Sequence, residues 1–343
     1  MTLPYREKIT APAAWRGPEI QNDDSWIMRI DSTMVDEIDT ALAAAKDKGL
    51  VGPIGKSAFA LPTLQARLAE IPDRLENGHG FALMRGLPRE RYSDEDCELI
   101  YWGIGAHLGS PVSQNARGQR ICHVRDVGRS LADPTARGYQ TTAKLDFHCD
   151  LLPVDVLGLF CLRTARTGGA SFLVSSLAVH NVLIEERPDL LDVLYEPFNV
   201  DWRGDEPEGG NPWYTNPLYS YWDGKVTSRV TTRFVLESVS RFGEALALTE
   251  RQNEALDVVH EIAERPELRL AMDFQEGDMQ FVNNHIILHA REEYEDFDEP
   301  ERKRHLLRMW ISLPAEHRRS LAPDIAARYR LVEAGGIPKR VAA

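Results

Sequence analysis

Cysteine is scarce in this sequence, and its spacing rules out the roles cysteine usually signals. Cys97, Cys122, Cys149 and Cys161 are the four cysteines of 343 residues, and no C-x-x-C pair occurs among them. A disulfide scaffold and a zinc knuckle are therefore not expected. No apolar window approaches the ~18 residues that a membrane helix needs. The N-terminal stretch MTLPYREKITAPAAW lacks a basic segment followed by an apolar run. These absences lead to the expectation of a soluble protein in a reducing cytoplasm. Positive charge is also in deficit, with 40 Lys and Arg against 53 Asp and Glu and a net charge of -13. Nucleic acid is thus a poor partner, because its affinity rests on clustered cations. A small anionic molecule stays compatible, since one pocket can be basic on an acidic protein.

Internal repeats and an interdomain linker are missing too. The chain reads as one domain over 1–343, with an N-terminal arm and helices at 1–75, a catalytic core at 80–313 and a C-terminal tail at 314–343. Hydrophobic residues make up 43% of it, enough for a sizeable core. Asp31 and Ser32 predict a helix from about Met34 to Lys48, stopped by Gly49. Leu64, Leu68 and Ile71 predict a short helix ending near Pro72. Residues 80–86 read as a buried strand between glycines, and Ser93-x-x-Asp96 as a capping box opening a helix to about Leu108. Residues 114–142 are rich in loop formers, with a strand at Ile121–Val124.

Past the middle, Val156–Thr164 is an almost unbroken apolar strand, and Gly168–Val174 reads as a hairpin turn and the next strand. Residues 176–197 are helical in pattern, broken by Pro188. A strand at Tyr214–Trp222 turns at Asp223-Gly224 into another at Val226–Val235. Thr249 caps a helix to Ile262. Strands follow at 268–274, 279–282, 284–290 and 304–313. Many short strands with helices mostly at the ends point to an α+β fold, a double-stranded β-helix (jelly-roll) core with flanking helices.

Chemistry concentrates in KLDFHCD, residues 144–150. His148 and Asp150 are one residue apart, so an extended strand points both to one face and Cys149 to the other. An imidazole and a carboxylate so placed are two-thirds of the 2-His-1-carboxylate triad of non-haem Fe(II) oxygenases. Taken alone, H-x-D is more often a polar surface strand, and a lone His289 is more often a hydrogen-bonded core residue. Their order along the chain changes that weighting. His148 and Asp150 are followed by about 140 residues of sheet, then by His289, then by Arg304 and Arg308. The two arginines are four apart, so a strand points them the same way, and arginine matches a carboxylate bidentately.

Together DFHCD, RTGGASFLVSS, NNHIILHARE and RKRHLLRMWIS resemble the taurine dioxygenase-like (TauD/TfdA) family of Fe(II)/2-oxoglutarate-dependent oxygenases, over roughly residues 80–313. The resemblance implies that His148, Asp150 and His289 hold Fe(II). It implies that Arg304, fifteen residues past His289, binds the far carboxylate of 2-oxoglutarate. Arg308 would lie near the substrate or the keto-acid carboxylate, and Ser171 would contact the co-substrate; loop length could exchange the two arginines. The implied activity is dioxygenase chemistry with O2, releasing succinate and CO2 and hydroxylating or desaturating a small to medium organic acid or amino-acid-like molecule.

Two other readings stand beside this one. A non-catalytic jelly-roll that binds a carboxylate ligand or a partner protein is disfavoured by an intact triad with an intact arginine clamp. A zinc hydrolase would need a general base that the ligand stretches do not supply. Asn283 and Asn284 are candidates to orient His289 or are plain turn residues, and His285 is the competitor for the third ligand position. Gln114, Asn115, Tyr214 and Tyr219 are candidate pocket walls. Self-association into a homo-oligomer is compatible with the sequence.

Overall fold

The computed structural model describes residues 3–340 apart from 131–132, 134–135, 152–153 and 330–334. Parts of the expected 114–142 loop and of the C-terminal tail therefore lie outside the described residues. Two sheets are built from strands β1 (Ile27–Arg29), β2 (Phe81–Arg85), β3 (Ser110–Val112), β4 (Ile121–Val124), β5 (Leu145–His148), β6 (Val156–Arg163), β7 (Ser171–Ser175), β8 (Arg269–Met272), β9 (Met279–Asn283), β10 (Ile287–Arg291) and β11 (His305–Ser312). The larger sheet runs β1-β2-β9-β6-β11-β3, with β4 also on β11, and the smaller runs β8-β7-β10-β5. β1 joins β2 in parallel, and the other pairings are antiparallel. This is the expected jelly-roll, with helices outside both sheets.

Side-chain alternation decides what each face of the larger sheet touches. Val156, Phe160 and Leu162 of β6, with Leu307, Met309 and Ile311 of β11, pack in one hydrophobic cluster with the helices Ser32–Asp47 and Asp94–Leu108. Leu157, Leu159 and Cys161, with Leu306 and Trp310, belong to a second cluster between the sheets. Arg308 shares the parity of Leu306 and Trp310, so it points inward too. Gly158 permits the close approach of helix Asp94–Leu108, since a Cβ there would lie 2.4 Å from the Tyr101 hydroxyl.

Most element expectations match. The helix Ser32–Asp47 is capped by the Asp31 side chain, which accepts from the Met34 N–H. Ser93 and Asp96 form their capping box, as do Thr249 and Gln252. Four differ. Pro72 opens a helix, Ile71–Glu76, because proline fits the first turn where no N–H is needed. The Gly168-Gly169 turn makes no hairpin between β6 and β7, since β6 lies in the larger sheet and β7 in the smaller. The chain crosses between sheets there, as a jelly-roll requires. The Asp223-Gly224 hairpin is present but short, pairing Tyr219–Trp222 with Lys225–Ser228. Residues 233–237 coil into a helix instead, and Trp213–Pro217 pairs with Pro197–Asp201.

Candidate active site

His148 and His289 face each other across the smaller sheet, as directly paired residues of β5 and β10. Their ring centroids are 4.2 Å apart. After His289 the register shifts, and Arg291 pairs with Leu145, so β5 carries one extra residue. Asp150 lies just past the end of β5, where the Cys149 N–H donates to the Val230 carbonyl. Asp150 Oδ1 is 4.0 Å from His148 Nε2 and 3.8 Å from His289 Nε2. One ligand atom from each of the three residues lies within 4.8 Å of the others.

The donor set suits a divalent cation such as Fe(II). Ligands ~2 Å from one ion and at right angles are ~3 Å apart, so closing these separations needs shifts of under about 1 Å. His148 Nδ1 lies 2.7 Å from the Asp146 carbonyl. That contact assigns the ring proton to Nδ1 and leaves the Nε2 lone pair facing Asp150. Burial lowers the pKa of His148. His289 is lowered to about 3, by burial and then by His148, so both rings are neutral and able to ligate. Burial works against ionisation of Asp150, but the Arg308 guanidinium and the Trp310 indole outweigh it and hold its pKa below the usual value. A carboxylate and two neutral imidazoles are what the metal needs.

The second oxygen of Asp150 is firmly held. Oδ2 accepts from Trp310 Nε1 at 2.6 Å and is ion-paired with Arg308 Nη1 at 3.0 Å. Arg308 Nε donates to Gln114 Oε1 at 2.7 Å, and Gln114 in turn donates to the Arg308 carbonyl at 2.8 Å. Asn284 takes the Asp150 N–H at 2.8 Å and donates to the Asp150 carbonyl at 3.0 Å. It therefore orients Asp150, which is neither of the two roles weighed for it, orienting His289 or forming a plain turn. Asn283 bonds instead to the Leu75 carbonyl and Glu76. His289 Nδ1 is buried without a partner among the described residues. His285 is no competitor for the third position. Arg229 donates to its Nδ1 at 2.5 Å, and its Nε2 lies 3.2 Å from Asp155 Oδ1.

One cavity is lined by the triad, by Ser171, Arg291, Arg304 and Arg308, and by Gln114, Asn115, Arg137, Tyr139, Asp205 and Phe234. Arg304 directly precedes β11 and is 5% exposed. Its Nε lies 3.2 Å from where a Cβ on Gly169 would be, while a Cβ on Gly168 would lie 2.3 Å from the Glu293 carbonyl oxygen. Ser171 pairs with Arg291, on the same sheet face as His289. The wall expectation holds for Gln114 and Asn115 and fails for two tyrosines. Tyr219 is fully buried with its hydroxyl on the Ser176 carbonyl, and Tyr214 lines a separate small pocket. Trp310, Arg291 and Tyr139 were not singled out in the sequence. Strand parity would have found the first two, at Arg308 plus two and His289 plus two.

A sequence profile described as "Taurine catabolism dioxygenase TauD, TfdA family" matches residues 46–310. The chain belongs to the TauD/TfdA family. It is a 2-oxoglutarate-dependent dioxygenase that uses Fe(II). Among its TauD/TfdA relatives, FR-33289 synthase of Streptomyces rubellomurinus is 33% identical over 313 residues, covering 90% of this chain and 91% of that protein. Taurine hydroxylase-like protein SAT17 of Stachybotrys chartarum is 32% identical, covering 88% and 79%. A solved asparagine oxygenase, bound to Fe(II), hydroxyasparagine and succinate, superposes with a TM-score of 0.64 at 17% identity, covering 92% of this chain and 100% of that one. The non-haem iron oxygenase OrfP with Fe and α-ketoglutaric acid gives 0.60 at 14%, covering 90% and 98%. Such structural likeness shows the fold. Among the described residues no helix is long and apolar enough to cross a membrane.

Proposed function

We infer that this TauD/TfdA dioxygenase holds its iron through His148, Asp150 and His289. In this reading Arg304, with Ser171, anchors the far carboxylate of 2-oxoglutarate, while Arg308 stays with Asp150. The observation that carries the reading is the convergence of the three ligand atoms in one buried cluster, with Arg304 on the wall of the same cavity. When bound, the iron and the oxo acid supply the oxidation, coupled to release of succinate and CO2. The protein's own groups bind and orient. Arg308 and Trp310 keep Asp150 ionised and fixed, and Asp146 fixes the His148 tautomer. Apolar Leu145, Leu159 and Phe274 line the cavity and keep it poor in water. Arg308 is committed to Asp150 and Gln114, so of Arg304 and Arg308 it is Arg304 that is left for the co-substrate.

For the primary substrate we propose a small organic acid or amino-acid-like molecule, hydroxylated or desaturated at a C–H near the iron. The wall carries the Arg137–Asp205 ion pair beside the amide groups of Gln114 and Asn115, a polar face that suits a zwitterion. Asparagine oxygenase and OrfP act on such molecules by their names and ligands. We treat the whole chain as one catalytic unit, because β1 extends the larger sheet and residues 337–340 bond to the 113–116 loop. Four free, buried cysteines support a reducing cytoplasm as its compartment. The test is succinate release from 2-oxoglutarate under air with added Fe(II). It should occur with the native protein, rise with a coupled amino-acid substrate and vanish in His148→Ala. Activity that persists in His148→Ala would overturn the ligand assignment.

A further inference from the structure

We propose that Arg291 is a second guanidinium for the far carboxylate of 2-oxoglutarate, acting with Arg304 to select a dicarboxylic over a monocarboxylic oxo acid. This deepens the proposed function and rests on its reading of Arg304. Arg291 is two residues past His289 on β10, and β-pairing sets it opposite Ser171, so all three share the inner face. It is 6% exposed. One nitrogen, Nη2, is committed, donating to the Thr141 carbonyl at 2.9 Å and to the Ala143 carbonyl. Nε and Nη1 are buried with no partner among the described residues, and so is Nη1 of Arg304. The guanidinium carbons of Arg291 and Arg304 lie 4.8 Å and 5.1 Å from the centre of one Tyr294 ring, and both residues line the cavity of the triad.

Two cations held near one aromatic ring in a dry site repel each other, and buried N–H groups without acceptors are costly. A carboxylate relieves both, since its two oxygens offer about four lone pairs and accept from two planar forks at once. The competing account is that Arg291 merely pins residues 141–143 ahead of β5. Nη2 alone does that, and the account leaves the other two nitrogens unexplained.

The experiment measures binding of 2-oxoglutarate and of pyruvate to Mn(II)-loaded protein by calorimetry without oxygen. Pyruvate keeps the keto-carboxylate end and lacks the far carboxylate. In Arg291→Met, 2-oxoglutarate should bind about tenfold to a hundredfold more weakly, with pyruvate and Mn(II) affinity unchanged. Arg291→Lys keeps the charge without the fork and should fall between; it also carries the comparison if the Met variant does not fold. Equal weakening of both oxo acids, or unchanged 2-oxoglutarate binding, overturns the proposal. Arg304→Met is measured alongside. If it too leaves 2-oxoglutarate binding unchanged, the anchor reading itself fails; if it alone weakens binding, only the role of Arg291 falls.

Discussion

Trp310 donates its indole N–H to Asp150 Oδ2 at 2.6 Å, two residues along β11 from the Arg308 that shares the same oxygen. This contact leaves Oδ1 as the oxygen facing both imidazoles. Trp310→Phe keeps the ring's bulk and removes the donor. Groups that orient a metal ligand are typically worth about tenfold to a hundredfold in affinity. Fe(II) affinity, measured by titration against a competing chelator, should drop by about tenfold, with thermal stability nearly unchanged. An unaltered affinity would show that Arg308 alone suffices.

Arg304 and Arg308 should separate by phenotype. Arg304→Ala is expected to raise the 2-oxoglutarate requirement at least about tenfold while metal binding persists. Arg308→Ala should instead weaken metal binding, because it removes the main group holding Asp150 ionised. The reverse pattern in the two titrations would exchange their assignments.

Gly158 is a packing device with a measurable cost. Gly158→Ala places a methyl 2.4 Å from the Tyr101 hydroxyl and 3.2 Å from the Phe281 ring. Overpacking of this kind costs about 1–3 kcal/mol, read as a lower Tm. Tyr101→Phe in the same chain should recover part of the loss, and if it recovers none the clash lies elsewhere.

Acid should destabilise the fold early. Burial pulls His180, which sits 2.9 Å from the Tyr195 hydroxyl, from 6.5 down to about 4. His285 is also lowered to about 4, by burial and then by Arg229. The unfolded chain therefore binds more protons below pH 6.5, so this stability is complete above 6.5 and declines as pH falls toward 4. His180→Gln should flatten that decline in urea unfolding; an equally steep slope in the variant would refute the role of His180.

Much of the site was legible because it follows strand parity. H-x-D, the distal histidine and the paired arginines recur at spacings that put side chains on one face, and the same rule covers Arg291 and Trp310. The hairpin expected at Gly168-Gly169 failed because a glycine turn signals a reversal without naming the sheet that receives the next strand. Asn284 could not be assigned from sequence either, as its partner Asp150 is 134 residues away and meets it only across the fold. Tyr219 was misplaced for a related reason: aromatic residues suit a cavity wall and a packed core equally.

Alternation along β11 carries a consequence for how the enzyme can change. Leu306, Arg308 and Trp310 face the cavity while Leu307, Met309 and Ile311 face the helices. Insertion or deletion of a single residue within this segment would swap the two sets, driving a guanidinium into the helix layer and a methionine toward the cavity. Substitutions there can be absorbed one at a time, but the strand keeps a fixed reading frame.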